Sequence, residues 1–308
     1  MLGTIMIPDD GADSTTHAVR YAELLPSRSV RLVRVEPSFQ VLAPGPLENF
    51  RPDWRAVRTE QIHQELAPLA ERFQSQGRSV EIVVRFGDPA EEIIAAGDDA
   101  DLIIMATQGR GTAGRALFGS VADRVSRHAR TSTLLVRAAA AETAAPHVAR
   151  IVVPLDGSPL AEHALPLAAS LATDLKRPLQ LVRVVAPDQI VEEMQPAGPA
   201  VEDAYVWSRE HLLAAATAYL DGVADHLRAR GLTVQTDVLA GAPIFALLDA
   251  LRPDDLVVMT THGRGGLERW LLGSVAEHLI RTAPAPVVVV RAASAAPAQS
   301  PMSNENPE

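Results

Sequence analysis

The sequence contains no cysteine. That excludes disulfides, thiolate zinc sites, iron–sulfur clusters and a cysteine nucleophile. It also lacks any window approaching 18 uninterrupted apolar residues, so no membrane span is expected. The first residues, "MLGTIMIPDDG", have no basic n-region, and their apolar run is too short for a signal peptide. Basic charge is in short supply: 28 Lys and Arg stand against 38 Asp and Glu, a net charge of -10. Such a chain lacks the basic footprint of a nucleic-acid surface. The 9 histidines are scattered and form no H-x-E, H-E-x-x-H or three-ligand pattern, so no dedicated metal site is expected. The expectation is a cytoplasmic protein with neither nucleic acid nor membrane among its partners.

What is present is size and repetition. A chain of 308 residues, 47% hydrophobic, suits two domains, each with its own core. It is written twice. "DLIIMATQGRGTAGRALFGSVADRVSRHARTSTLLVR" from Asp101 matches "DLVVMTTHGRGGLERWLLGSVAEHLIRTAPAPVVVVR" from Asp255 without a gap. Upstream, "TIMIPDDGADSTTHAVRYAELL" matches "RIVVPLDGSPLAEHALPLAASLA", pairing Pro8 with Pro154 and Asp10 with Asp156. The spans are expected at 1–137 and 149–292. Residues 138–148 read as a linker and 293–308 as a tail of disordered composition.

Each copy alternates short β-branched runs with helical stretches. In copy 1 strands are expected at Leu2–Pro8, Val30–Glu36, Ser79–Phe86, Asp101–Thr107 and Thr133–Arg137. Helices are expected at Ser14–Leu25, Arg55–Gln76, Pro89–Ala96 and from Gly119. Copy 2 repeats the order, with one helix over Leu160–Leu175 and a last strand over Pro286–Arg291. Alternating strands and helices predict an α/β fold, a parallel sheet with helices on both faces. The runs "LIIM", "LVVM" and "VVVV" are apolar throughout, as strands covered on both sides require.

The loop after the fourth strand carries the strongest motif. In copy 1, Gly109, Gly111 and Gly114 have the G-x-G-x-x-G spacing of a dinucleotide fingerprint. Three features reject that reading. Copy 2 has Glu268 at the third glycine, the loop does not follow a first strand, and the next strand ends in arginine rather than an acid. The copies share a different pattern: Gly109 and Gly263, nine residues, then Gly119-Ser120 and Gly273-Ser274 before Val-Ala. Gly-Ser-Val-Ala before an amphipathic run reads as a helix start, whose free amides suit a phosphate. Glycines let those amides approach phosphate oxygens without a Cβ in the way. Arg110 and Arg264, also repeated, could meet phosphate charge, although an arginine there also suits a solvated face.

On these residues the chain resembles the universal stress protein family, in a tandem two-domain form. The resemblance covers nearly everything except linker and tail. The ATP-binding branch of that family carries G-x-x-G-x9-G-[S/T] after the fourth strand. Gly109, Gly119 and Ser120 match it, as do Gly263, Gly273 and Ser274. Both copies depart at the first glycine, replaced by Ala106 and Thr260, at a position close to the ribose in the family. The resemblance implies two tandem Rossmann-like open sheets, five-stranded and mostly parallel, with helices on both faces. It implies ATP as ligand, with magnesium arriving on it. It places Pro8, Asp10, Val35 and Met105 on the adenine side of copy 1, and Pro154, Asp156, Val184 and Met259 on that of copy 2. Taken singly, the valines and methionines also read as ordinary core. The aspartates also suit simple turn and cap chemistry, and both readings stand.

No general base or nucleophile recurs in both copies, so the resemblance implies a nucleotide-binding stress-response module with at most slow hydrolysis. The loops "PDDGADS" and "PLDGSPL" lack the paired glycines of ATP pyrophosphatases, and a receiver domain fails because neither fifth strand carries lysine. A nucleotide-free interaction scaffold of the same fold is the alternative, motivated by Ala106 and Thr260. The last strands, "STLLVRA" and "PVVVVRAA", are apolar and would be hazardous as bare edges, so the two domains are expected to pair there. A homodimer of chains is left open.

Overall fold

The structure, a computed structural model, describes residues 1–12, 14–37, 53–107, 119–137, 146–189, 201–260 and 273–291. The first half runs β1 (Leu2–Asp9), α1 (Thr15–Leu24), β2 (Ser27–Glu36), α2 (Trp54–Gln74), β3 (Ser79–Phe86), α3 (Pro89–Ala96), β4 (Leu102–Thr107), α4 (Ser120–His128) and β5 (Ser132–Arg137). The second runs β6 (Arg150–Pro154), α5 (Pro159–Glu162), α6 (Leu165–Leu175), β7 (Leu179–Val185), α7 (Val201–Arg228), β8 (Val234–Ala240), α8 (Pro243–Ala250), β9 (Asp255–Thr260), α9 (Ser274–Thr282) and β10 (Val287–Val290).

Within each half all strand pairs are parallel, in the order β3-β2-β1-β4-β5 and its repeat β8-β7-β6-β9-β10. The two five-stranded sheets are continuous. β5 pairs antiparallel with β10, Leu134 opposite Val288, giving a ten-stranded sheet. Strand side chains alternate between two cores, as the period of two demands. Ile5, Ile7, Leu32, Ile104, Val153 and Val288 face the core under α1, α2, α6 and α7. Met6, Val33, Ile103, Met105, Val257 and Val289 face the core under α3, α4, α8 and α9. Both cores run through the two halves without a break, which is why the strands are apolar throughout.

The two halves also meet through their last helices. Arg127 on α4 pairs with Glu277 on α9 at 3.3 Å, and Arg281 approaches Asp123 at 3.8 Å. Arg137 donates to the Ala283 carbonyl, and Arg291 reciprocates on that of Ser126.

Two elements differ from expectation by more than one or two residues at an end. β2 begins at Ser27, three residues before Val30. Its polar start is recruited by pairing, Leu2 opposite Ser27 and Thr4 opposite Ser29, with the Thr4 and Ser29 hydroxyls 2.8 Å apart. The helix expected over Leu160–Leu175 is broken into α5 and α6. Pro166 has no N–H to donate to the Glu162 carbonyl, and it is tolerated only because a new helix starts beside it. The Ser158 hydroxyl caps the first piece, accepting from Ala161 N at 3.1 Å.

Candidate functional site

Strand order reverses between β1 and β4 in the first half and between β6 and β9 in the second. Ligands of open parallel sheets bind outside the carboxyl ends of the strands at such a point. A cavity lies there in each half. The first, about 480 Å³, gathers Pro8 and Asp10 from the end of β1, Val35 from β2, Met105 and Ala106 from β4, and Gly119 and Ser120 from the start of α4. The second, about 190 Å³, gathers Pro154, Asp156, Val184, Met259 and Thr260 in the corresponding places. There α9 contributes Val275 to the lining, and Gly273 and Ser274 stand just before it without lining the cavity. Gly109, Arg110, Gly263 and Arg264 lie outside the described residues.

The local reasons are legible residue by residue. Met105 and Met259 are at once buried core residues and cavity wall, because each ends a strand covered on both faces. Asp10 closes its own turn, one carboxylate oxygen accepting from Ala12 N at 3.0 Å and from the Thr15 hydroxyl at 3.1 Å. Asp156 does the same with Ser158 N at 2.9 Å. Each aspartate therefore serves turn chemistry and lines a cavity. Gly119 and Gly273 are the cap positions of α4 and α9, and their carbonyls accept the first helical bonds, from Asp123 N and Glu277 N. The amides that follow have no partner within the helix. Gly119 has φ -60 and no described residue within 4 Å of a built Cβ. Neither backbone conformation nor packing among the described residues requires glycine there.

A residue pair that sequence reasoning missed sits under both sites. Arg34 on β2 and Arg183 on β7 occupy the same place, since the register sets Pro8 opposite Val33 and Pro154 opposite Val182. Each guanidinium lies beneath the glycine that follows the cavity aspartate. A Cβ on Gly11 would meet Arg34 at 3.3 Å, and one on Gly157 would meet Arg183 at 3.0 Å. Both glycines have left-handed backbones, φ +73 and φ +83. The signal was the arginine in "LVRVEP" and "LVRVVAP", buried in runs that read as plain strand. Gly157→Ala is expected to lower stability by about 1 to 2 kcal/mol from the left-handed backbone alone. Urea denaturation reads this directly, and an unchanged midpoint would mean that the loop can abandon its turn.

The charge around the arginines differs between the halves. Arg34 binds Asp9 through Nε at 2.8 Å and Glu65 through Nη1 at 3.1 Å. Arg58 on α2 continues the chain, reaching Glu65 at 2.7 Å and Glu36 at 2.8 Å. Bonds from Glu36 and then Glu65 hold the Arg58 guanidinium above its ordinary pKa. The bond from Arg58 is the main cause that lowers Glu65 below the usual carboxylate range. In the second half Arg183 lies 5.0 Å from the centre of the Tyr219 ring. The Tyr219 hydroxyl donates to Glu162 at 2.9 Å, and its pKa is raised, first by burial and then by that carboxylate.

Among the described residues no cluster of three or more His, Asp or Glu could hold a metal ion, and no helix is long and apolar enough to cross a membrane.

An open α/β sheet with its cavity at the reversal of strand order defines a Rossmann-like class of domain, present twice. The chain belongs to the universal stress protein family, whose model matches residues 1–137 and again residues 147–291. It is similar to a universal stress protein of Mycobacterium tuberculosis, 29% identical over 243 residues that cover 77% of this chain and 78% of that one. A relative from Mycolicibacterium smegmatis is 30% identical over 221 residues, 71% of each chain. Among solved structures, a universal stress protein from Archaeoglobus fulgidus superposes with a TM-score of 0.68 at 20% identity, covering 94% of this chain and 98% of that one.

Proposed function

We propose that this universal stress protein binds an adenine nucleotide, ATP with its magnesium, at the two strand-end cavities. The domains are 1–137 and 149–292, acting as one unit through the pairing of β5 with β10. The observation that carries this reading is the recurrence of one arrangement in both halves. Strand ends bring Pro8, Asp10, Val35 and Met105 together in one cavity, and Pro154, Asp156, Val184 and Met259 together in the other. Planar rings favour an apolar slot with a few placed polar groups. Gly119-Ser120 and Gly273-Ser274 supply open helix starts for phosphate. Gly109, Arg110, Gly263 and Arg264 belong to the same phosphate loops in this reading. The role is binding that biases conformation or partner choice rather than turnover, since no general base recurs in both halves.

The test is extraction of the purified protein followed by mass spectrometry, with ATP-magnesium titration of the stripped protein. Expected are a co-purifying adenine nucleotide and a thermal shift that grows with ATP concentration. No nucleotide and no shift at millimolar ATP would favour the second reading, a nucleotide-free scaffold. Its specific support is that Ala106 and Thr260, both cavity residues, stand where the ATP-binding branch has glycine.

A further inference from the structure

The repeat allows each residue around Arg34 to be compared with its counterpart around Arg183. β2 and β7 end alike: Gly87 N donates to the Glu36 carbonyl, and Gly241 N to that of Val185, each at 3.0 Å. Val185 therefore stands where Glu36 does. The long helices also close alike, Arg78 N on the Phe73 carbonyl and Leu232 N on that of Leu227, each at 3.3 Å. Counting back from those turns sets Tyr219 at the place of Glu65, and Leu212 at that of Arg58. Leu155 follows Pro154 as Asp9 follows Pro8.

Four ionic positions of the first half are thus Leu155, Val185, Leu212 and Tyr219 in the second, and only the arginine is kept. The consequence is visible in the cavities. Asp9, Arg34, Glu36 and Arg58 all line the first. In the second, Leu155 lines the cavity directly, while Val185 and Leu212 pack together in a small apolar cluster beside it. The second cavity is also the smaller. The apolar slot itself is common to both, Val182, Val184, Leu247 and Met259 in the second and Val33, Val35, Ile93 and Met105 in the first, so what differs is the ionic rim beside it. A neutral aromatic base leaves water favourably for an apolar wall. Against the ionic rim it would strip water from charges whose partners are already engaged.

We propose that the two halves are unequal sites, with the adenine ring held preferentially by the second half, and that residues 9, 36, 58 and 65 set the difference. This rests on the adenine-nucleotide reading above. The first half offers the base the same slot beside an ionic rim and is the weaker site.

The test uses the full chain and 8-azidoadenosine, a phosphate-free probe that isolates the base pocket from the phosphate loop. After irradiation, labelled peptides are mapped to each half across a concentration series, with adenosine as competitor. Second-half peptides are expected to saturate at a concentration about tenfold or more below first-half peptides. Equal concentrations, or the first half labelling first, would overturn the proposal. So would ATP binding in parallel titration with no competable label in either half. Absence of both label and ATP binding would instead remove the nucleotide reading itself. A second arm transplants the apolar wall: D9L, E36V, R58L and E65Y together should bring first-half labelling within about threefold of the second half. Should circular dichroism show that this variant is unfolded, E36V with R58L makes the same test in smaller degree. A folded variant with unmoved labelling overturns the assignment of these residues.

Discussion

Gly273→Val is expected to weaken ATP binding to the second half by about tenfold to a hundredfold, as the loss of hydrogen bonds to a charged group implies. Gly273 is the cap of α9, with φ -60 and ψ 150, an extended backbone that valine adopts without strain. The variant should therefore fold, and its melting temperature should stay near that of the parent. What changes is access. The amides of the first turn point away from the helix, and a β-branched side chain at the cap stands between them and any phosphate. Calorimetric titration with ATP-magnesium checks the prediction. Unchanged affinity in a folded variant would place the phosphates elsewhere. Gly119→Val probes the first half in the same way, and at Gly119 no described residue approaches a built Cβ.

Asp255→Ala should be the most destabilising of the substitutions considered, at about 3 to 5 kcal/mol, the cost of stranding one member of a buried ion pair. The Asp255 side chain is wholly buried at the start of β9. It accepts from Arg150 Nε at 2.7 Å, from Arg150 Nη2 at 3.1 Å and from Arg252 N at 2.8 Å. Removal leaves the largely buried Arg150 guanidinium with the Ala250 carbonyl as its remaining described hydrogen-bond partner and only the more weakly coupled charges of Asp254 and Asp237. The repeat supplies a control. Asp101 holds the equivalent place but is exposed, and it accepts from the backbone of Gly3 and Thr4 instead of a guanidinium. Asp101→Ala should cost about 1 to 2 kcal/mol, the loss of hydrogen bonds without a stranded charge. Urea denaturation of the two variants measures the contrast. Equal losses would mean that the Arg150 charge finds water once its partner is gone.

The legibility of this chain comes from its duplication. A lone glycine pattern such as Gly109, Gly111 and Gly114 is weak, and Glu268 was enough to dismiss it. The same comparison singled out Gly119-Ser120 and Gly273-Ser274, and these are the starts of α4 and α9. Strand ends were legible because Pro8, Asp10, Pro154 and Asp156 break continuous apolar runs. Boundaries were harder where pairing overrides composition. Ser27 and Ser29 join β2 because β1 and β3 offer them partners, a fact that no local pattern carries. The break between α5 and α6 was in principle readable from Pro166, since only a helix start tolerates proline.

By itself the sequence determined the tandem α/β architecture, the alternation of strands and helices, and which residues recur at strand ends and helix starts. Those are properties of local period and repetition, so they survive without coordinates. The apolar last strands already made pairing of the halves an expectation; only the tertiary structure decided its form, β5 antiparallel to β10 in one sheet with cores continuous across both halves. It also decided what surrounds each repeated residue. Arg34 and Arg183 read identically in the chain, yet one sits in an ionic ladder and the other on an aromatic ring. Their neighbours come from a strand and a helix far away in sequence, and the field at a side chain is set by whatever folding brings within a few ångströms.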